Sequence, residues 1–244
     1  MNEIGVDLRD VAVHLGHRPV ISDLSMRIDR SEFLAVVGPS GSGKSTLLRS
    51  IAGLQPLTSG TISTDTGVVV GPARERAMVF QDDALLPWRR VRGNVELAVR
   101  LQGASRRQGR ERADVVLEQV GLSEARHLLP RQLSGGMRQR AQIARTLAGR
   151  PPIILMDEPF SSLDAHTRST LQSLLHDVWR SERPTIVFVT HDIDEALTLG
   201  QRVLVLTRAP SHHFIATIPD ESERTEREHL RRTIHALLRD GIRY

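Results

Sequence analysis

The sequence predicts an α/β fold built on a parallel sheet, and three observations indicate it. Short apolar runs rich in β-branched residues, such as "FLAVV", "IILM", "TIVFV" and "RVLVL", alternate with segments of helical pattern. A glycine-rich turn joins the first run to the helix-forming stretch "KSTLLRSIAGL". The chain between about residues 91 and 150 has a helical pattern, which predicts a helical insertion in the core.

The remaining elements are short. Further strands are predicted at "VAVHL", "VISDLSMRI", "SGTISTD", "GVVVG" and "RAMVFQ". At the other end, residues 220–244 predict an amphipathic helix, with Leu230, Ile234, Leu237 and Leu238 on one stripe. Thr225 and Glu228 fit a capping box at its start. A helix packed on its own domain is the usual origin of such a stripe, and a helix for a membrane surface or a partner is the alternative.

The composition restricts the class of protein. With 244 residues, 39% of them hydrophobic, the chain can bury one large domain or a domain with a subdomain. The absence of cysteine excludes disulfides, cysteine nucleophiles and thiolate metal sites. No apolar run reaches the roughly 18 residues of a membrane span, and the N-terminal segment lacks the pattern of a secretory signal. We expect a soluble protein whose membrane role, if it has one, depends on a partner.

The high isoelectric point of about 10.6 does not indicate a nucleic-acid partner, because the formal net charge is only +4. With one Tyr and no Cys, few groups titrate between neutral pH and the arginine range, so a small excess of Arg raises the isoelectric point. The cluster "RRQGRERAD" mixes basic and acidic residues on a predicted helix, which is typical of a solvated face. The sequence therefore predicts no nucleic-acid partner.

The glycine-rich turn carries a phosphate-binding motif. The stretch "GPSGSGKST" matches G-x-x-x-x-G-K-[ST] between a strand and a helix. Among the 33 Lys and Arg residues Lys44 is the only Lys, which indicates a position that needs a compact ammonium. We expect the turn amides and Lys44 to bind ATP phosphates and the Ser45 hydroxyl to bind Mg²⁺. The predicted P-loop residues are Gly38, Pro39, Ser40, Gly41, Ser42, Gly43, Lys44, Ser45 and Thr46.

Two acidic residues follow the apolar run "IILM". Because Asp157 and Glu158 stand at the carboxyl end of a predicted strand, they suit two separate tasks beside a bound nucleotide. Asp157 is expected to hold Mg²⁺ through water, and Glu158 to orient and deprotonate the attacking water. The pair alone is also common as ordinary loop charges, and the P-loop makes the catalytic interpretation the better one.

The segment "LSGGMRQR", Leu133–Arg140, predicts a second anion site. Ser134 can cap the following helix, and Gly135 and Gly136 permit close backbone approach. A chain with one P-loop has no evident need for a second phosphate-binding element. The simplest explanation is that this segment contacts the γ phosphate held by the P-loop of a second copy.

These motifs together resemble the ATP-binding cassette (ABC) ATPases, and the resemblance extends from about Val6 to Ile218. It implies a P-loop NTPase of ABC ATPase type: a RecA-like parallel-sheet core, an antiparallel β subdomain and a helical subdomain carrying the signature "LSGGM". Residues 1–219 are then the nucleotide-binding domain, with the helical part at about 91–150. Two cassettes are expected to enclose two ATP molecules head to tail.

The resemblance also implies roles for three further residues. Gln81, after "AMVF", matches the Q-loop residue that contacts Mg²⁺ or the attacking water and senses the transmembrane partner. Asp164, in "SSLDA", matches a residue that communicates across the dimer near the nucleotide. His191, in "FVTHD", matches the histidine that contacts the γ phosphate.

Within the family, "FQDDALLPWRRVRGNVELAVRLQG" is similar to the corresponding segment of nitrate, sulfonate and taurine importers. That region faces the membrane subunit, so Leu86, Pro87 and Trp88 are candidate docking residues. Ordinary packing of the helical subdomain is an equal alternative for Leu86 and Trp88, and one residue can do both.

The chain departs from the family at two positions. The family usually stacks adenine on an aromatic residue, and alignment places Leu15 there. Either an apolar contact replaces the stack, or His14 or His17 supplies a ring. Met137 replaces the commonest Gln of the signature, a milder change because Ser134 and the backbone are the phosphate-contacting groups.

The predicted function is ATP hydrolysis coupled to import of a small anion or a sulfonate-like solute. The predicted partners are a second cassette, permease subunits and, indirectly, a solute-binding protein, at the cytoplasmic face of the cell membrane. A soluble ABC ATPase of an assembly or nucleic-acid machine is the alternative, and "LLPW" is the main feature against it. A generic P-loop kinase does not explain "LSGGM".

Overall fold

A computed structural model describes residues 4–82 and 84–240, which divide into two compact units. The first unit comprises Met1–Ala73 with Thr185–Tyr244, and the second comprises Arg74–Pro184. Among the residues that the structure describes, no helix is long and apolar enough to cross a membrane.

The two described stretches contain ten strands and seven α-helices. In chain order the strands are β1 (Ile4–Leu15), β2 (Arg18–Asp29), β3 (Phe33–Val37), β4 (Ser59–Thr64), β5 (Gly67–Val68), β6 (Arg76–Val79), β7 (Ile153–Asp157), β8 (Thr185–Thr190), β9 (Arg202–Leu206) and β10 (His213–Thr217). The helices are α1 (Lys44–Ile51), α2 (Val91–Leu101), α3 (Arg106–Gln119), α4 (Gly135–Gly149), α5 (Ala165–Glu182), α6 (Ile193–Leu199) and α7 (Arg224–Asp240).

The first unit contains an antiparallel sheet with the strand order β2-β1-β4-β5. Along β2, buried Leu24, Met26 and Ile28 alternate with exposed residues, because a strand with one solvated face presents every second side chain to the core. The other strands of this unit are mainly parallel. Strand β3 lies between β8 and β9 and pairs parallel with both, and β10 pairs antiparallel with β9.

The parallel strands form the core of the first unit. Every residue of β3 and β8 is buried, as expected for apolar strands covered on both faces. A parallel pair requires a crossover connection, and α6 supplies the one between β8 and β9. This arrangement confirms the predicted α/β class with a parallel sheet.

Helix α7 packs on the same core. Leu230 and Ile234 are buried in a cluster with residues of α6 and β9, and Arg231 forms an ion pair with Asp194 of α6. The helix begins at Arg224, so Thr225 lies inside its first turn. A capping box needs its Thr immediately before the helix, so the prediction of one at Thr225 is wrong.

The second unit is mainly helical. Strands β6 and β7 form a parallel pair, and α2, α3 and α4 pack against one another. One strand prediction for the first unit needs correction, and one strand of that unit was missed. Only Gly67–Val68 of "GVVVG" forms a strand, and Val70 is 95% exposed. Strand β10 was not predicted, because its residues are only half-buried and give a weak apolar pattern.

Candidate functional site

The P-loop is the turn between β3 and α1, and its glycines are required by the backbone. Gly41 and Gly43 have φ values of 78° and 96°, in the left-handed region that favours glycine. A Cβ atom on Gly38 would lie 2.5 Å from both the Leu206 carbonyl oxygen and the Ser42 Oγ. Since real Cβ contacts are longer than that, any side chain at Gly38 would displace the turn.

Lys44 begins α1 and directs its ammonium back into this turn. The Nζ atom donates hydrogen bonds to the carbonyl oxygens of Gly38 at 2.8 Å and Pro39 at 3.1 Å. The residue is only 6% exposed, although it is cationic. A buried ammonium held by neutral carbonyls keeps its positive charge available to an anion in the turn.

The hydroxyl of Ser42 provides the second indication of a ligand. Ser42 is 4% exposed, and within the described residues its Oγ atom has no hydrogen-bond partner. An unpaired buried polar atom costs about 1–3 kcal/mol, so it calls for a physical explanation. A phosphate oxygen in the turn fits this chemistry, because it accepts hydrogen bonds from both a hydroxyl and an ammonium. The N-terminus of α1 has no side-chain cap, and Ser45 and Thr46 lie in its first turn.

His191 and the P-loop emerge at the same edge of the parallel strands. Val37, the last residue of β3, is paired with Thr190, the last residue of β8. Gly38 directly follows β3 and His191 directly follows β8, so the strand register places these two residues next to each other at the end of the sheet. His191 is exposed there.

The turn that carries His191 is held by a buried polar group. Thr190 Oγ1 donates to the carboxylate of Glu195 at 2.6 Å and accepts from the amide of Asp192 at 3.0 Å. Asp192 in turn caps α6, accepting from the amides of Asp194 and Glu195. The roles of Thr190 and Glu195 could not be predicted, because a buried Thr–Glu bond produces no periodic pattern in the sequence.

In the second unit, strand register brings Gln81 to the same edge as the two acids. Val79 at the end of β6 is paired with Met156 of β7, and Asp157 and Glu158 follow Met156. Gln81 likewise lies two residues beyond Val79. Asp157 is buried at 1% exposure, and Glu158 is half-buried. Gln81, Asp157 and Glu158, three of the residues predicted to serve Mg²⁺ and the attacking water, thus lie at the carboxyl ends of two adjacent strands.

Glu158 has a strained backbone. Its φ value is 47°, which a non-glycine residue adopts only when the surrounding structure imposes it. Two hydrogen bonds from Ser161 help to hold this conformation. Its amide and its hydroxyl both donate to the Glu158 carbonyl oxygen, at 3.2 and 3.1 Å. Strain of this kind is concentrated at functional positions, which supports a specific task for this carboxylate.

The signature segment begins α4 as predicted from its sequence. Ser134 precedes the helix, and its Oγ accepts the amide of Met137 at 3.2 Å. Ser134 and Gly135 are exposed, and a Cβ on Gly135 would meet nothing within 4 Å. A Cβ on Gly136 would instead lie 3.3 Å from Leu163. A side chain at Gly136 would therefore press on Leu163 within the unit, whereas Gly135 leaves open space in front of the helix.

Asp164 has a structural role of its own. Its Oδ1 accepts the amide of Thr167 at 2.9 Å, which caps α5. The hydrogen bonds from Thr167 hold the pKa of the exposed Asp164 carboxyl below its usual value. The predicted role across a dimer and the capping role do not exclude each other.

Leu15 lies at the tip of the hairpin between β1 and β2 and is 49% exposed. The other strand of this hairpin reaches the P-loop, since a Cβ on Gly43 would lie 3.0 Å from Val20. His14 and His17 on either side of Leu15 are also exposed. Leu15 can thus offer a nucleotide base an apolar contact, and His14 and His17 can offer it an imidazole ring.

Comparison with known proteins agrees with the motifs. Residues 21–161 match the family model described as ABC transporter. A nitrate import ATP-binding protein from Synechocystis is 48% identical over 78% of this chain and 71% of its own length. A taurine import ATP-binding protein from Sinorhizobium fredii is 46% identical over 86% of this chain and 77% of its own length. The dimeric structure of MJ0796, a bacterial ABC transporter cassette, matches with a TM-score of 0.80 and 31% identity over 88% of this chain and 99% of that one.

The parallel strands, the P-loop and the two acids at the carboxyl end of β7 define an ATPase of the P-loop class. With the signature segment and these relatives, the chain belongs to the ABC transporter family, as a cassette that binds and hydrolyses ATP. The resemblance inferred from the motifs is confirmed.

We expect Lys44→Arg to lower ATPase activity although it keeps the positive charge. The ammonium is enclosed by two carbonyl groups at 6% exposure, and a planar guanidinium needs more space. Nucleotide affinity should fall at least about tenfold, a loss of about 1.4 kcal/mol, as measured by equilibrium titration. The matched control is Arg49→Lys at an exposed position of α1, which should bind as the wild type does. Wild-type affinity in Lys44→Arg would show that the turn accepts either cation.

The two roles of Asp164 can be separated by Asp164→Asn and Asp164→Ala. Asn keeps an acceptor oxygen, so its melting temperature at neutral pH should match the wild type, whereas Ala should lose roughly 2–4 °C. Because the folded-state pKa is lowered, the charged cap stabilises the protein above the ordinary value of 3.8 and loses this effect as the pH falls through the folded-state pKa. The stability advantage of the wild type over Asp164→Ala should therefore shrink in acid.

The ATPase rate of Asp164→Asn then decides the role. A lower rate with an unchanged melting temperature is expected if the carboxylate acts across a dimer. A full rate would restrict Asp164 to capping α5.

Proposed function

We propose that this chain is the ATP-hydrolysing subunit of an importer for a small anion or a sulfonate-like solute. The observation that carries the ATPase part is the P-loop, where a buried ammonium and an unpaired buried hydroxyl face the same turn. The importer part is supported by the relatives named for nitrate and taurine import. Those names also favour a transporter over the soluble assembly machine that the sequence left open.

In this proposal the P-loop, Gly38–Thr46, binds the phosphates of ATP. Ser45, Gln81 and Asp157 hold Mg²⁺, since a hydroxyl, an amide oxygen and a carboxylate are the hard oxygen ligands that this ion prefers. When bound, Mg²⁺ neutralises charge on the phosphate oxygens. Glu158 orients the attacking water and takes its proton, and His191 contacts the γ phosphate.

The active form is proposed to be a head-to-tail dimer of cassettes. The exposed Ser134 and the open space before Gly135 suit a phosphate brought by a second copy, because the start of α4 offers a positive helix end. Asp164 follows Leu163, and a Cβ on Gly136 of the signature segment would lie 3.3 Å from Leu163, so the start of α5 lies close to this segment. The dimeric MJ0796 structures, one of them in a post-hydrolysis state with ADP and Pi, support the assembly.

The docking segment, Leu86–Trp88, is proposed to contact the permease at the cytoplasmic face of the membrane. Trp88 is 74% exposed, and an exposed Trp is the residue type most often found at the centre of an interface. Leu86 is half-buried, so packing and docking both apply to it. A solute-binding protein is proposed to deliver the cargo, which a cassette itself does not contact.

Glu158→Gln should bind ATP and lose steady turnover. The two side chains have the same shape, but Gln cannot accept the proton, and loss of a general base costs about 10²–10⁴-fold in rate. Phosphate release at saturating ATP measures the rate, and size-exclusion chromatography with ATP should show the variant accumulating as a dimer. Glu118→Gln, at an exposed position of α3, is the control and should keep wild-type turnover. A fully active Glu158→Gln would remove Glu158 from the role of base.

Trp88→Ala should lose the membrane partner. A tagged chain purified from detergent-solubilised native membranes is expected to bring down a multi-span protein, identified by mass spectrometry. If Trp88 is a central contact worth about 2 kcal/mol, the variant should bind about thirtyfold more weakly. Val68→Ala, at a 61% exposed apolar position of the first unit, is the matched control. Recovery of a soluble scaffold in place of a membrane protein would contradict the importer.

A further inference from the structure

The loop from Gln81 to α2 is fastened to the signature helix α4. Gln142 Nε2 donates to the carbonyl oxygen of Asp82 at 3.2 Å. Arg145 donates to the carbonyl oxygen of Ala84 at 2.8 Å. Both donors lie on one face of α4, three residues apart, and both acceptors are backbone atoms close behind Gln81.

The other end of this loop is fastened to α2. Asn94 is fully buried, and its side chain accepts from the amide of Leu86 at 2.7 Å. Its amide group donates to the carbonyl oxygens of Leu86, Arg89 and Arg90 at 3.2, 3.0 and 3.2 Å. The segment that presents Trp88 is thereby fixed by four bonds from one side chain.

Burial of the Gln142 side chain has a free-energy cost, because one of its two polar atoms lacks a hydrogen-bond partner among the described residues. Gln142 is 1% exposed, yet its Oε1 has no hydrogen-bond partner in the described part of the chain. An unpaired buried acceptor costs about 1–3 kcal/mol, so an apolar side chain of the same size would be more favourable here. The amide supplies the bond to the Asp82 carbonyl at 3.2 Å and a longer one to Gln139 Oε1 at 3.5 Å, and an apolar side chain supplies neither.

Helix α4 connects this contact to the signature. The helix runs without interruption from Gly135 to Gly149, with Ser134 capping its first turn. A helix of this length moves as one body, so a shift at Ser134 reaches Gln142 and Arg145 about two and three turns further on. Through them it reaches the backbone that follows Gln81.

We propose that Gln142 and Arg145 are positioning residues for Gln81, coupling its placement to the signature helix. The inference rests on the proposed function, in which Gln81 serves Mg²⁺ and the attacking water. Gln142 and Arg145 do not touch the nucleotide in this scheme. They hold the backbone so that Gln81 stays in its working place while α4 engages a second copy.

The test is a double-mutant cycle in the full-length chain, using Gln142→Met, Gln81→Ala and the double variant. Met has nearly the volume of Gln and keeps the packing but donates no hydrogen bond. Gln142→Met should lower kcat about tenfold, because a slightly misplaced group weakens only the transition state, and should leave KM for ATP within about twofold. The double variant should be no slower than Gln81→Ala alone.

Thermal unfolding and a matched control separate positioning from stability. Gln142→Met should melt close to the wild type, because removal of the unpaired Oε1 offsets the loss of the hydrogen bond to the Asp82 carbonyl. Gln139→Met is the control. Gln139 is on the same helix and 4% exposed, and its Oε1 accepts from Gln142 Nε2 at 3.5 Å. The bond from Gln142 to the Asp82 carbonyl at 3.2 Å does not involve Gln139, so kcat should stay at the wild-type value.

Three other outcomes would each refute a different part of this proposal or of the proposed function. Wild-type kcat in Gln142→Met, with a slow Gln81→Ala, would refute positioning and leave the proposed function standing. Additive losses in the double variant would also refute it, because the two residues would then act separately. Wild-type kcat in Gln81→Ala would refute the proposed role of Gln81 and, with it, the coupling.

Discussion

The close approach of backbone at the end of β3 is the constraint on which the site depends. Gly38 lies so near the Leu206 carbonyl and Ser42 that no side chain fits. That approach requires β3 and β9 to be neighbours in the parallel sheet, and the buried apolar residues of both strands provide the free energy that keeps them so. The neighbouring strands therefore hold the glycine-rich turn in one conformation. In that conformation Lys44 donates hydrogen bonds to two carbonyl oxygens of the turn.

Several residues carry local costs that folding alone does not explain. Ser42 and Gln142 bury polar atoms without partners, and Glu158 adopts a left-handed backbone. Each cost is of the order of about 1–3 kcal/mol, against a total stability of about 5–15 kcal/mol for a typical domain. A chain tolerates such costs where they serve binding or catalysis. Ser42 lies in the predicted P-loop and Glu158 is the predicted base, whereas Gln142 lies on the signature helix beyond the segment Leu133–Arg140 and was not predicted.

The sequence was sufficient for features that follow from local pattern. The run "FLAVV" before "GPSGSGKST" predicts a buried strand, a turn and a helix, and the structure has β3, the P-loop and α1 there. It was not sufficient for contacts between segments distant in the chain. Asn94 and Gln142 are polar residues on helices, and nothing in their neighbourhood shows that each fixes a loop several residues or sixty residues away. Strand β10 was missed for a related reason, because an edge strand needs little burial.

Lys44 shows how composition becomes chemistry. The chain uses Arg at every other basic position, and on exposed helix faces and in ion pairs such as Arg231 with Asp194 the wide guanidinium has room to bind. In the P-loop the cation sits within hydrogen-bond distance of two carbonyl groups and is nearly closed off from water. A planar fork with five donors would leave several of them unpaired in that space, whereas an ammonium has only three to satisfy. The exception in the composition thus coincides with a nearly enclosed position between two carbonyl groups, where an ammonium fits its partners better than a guanidinium does.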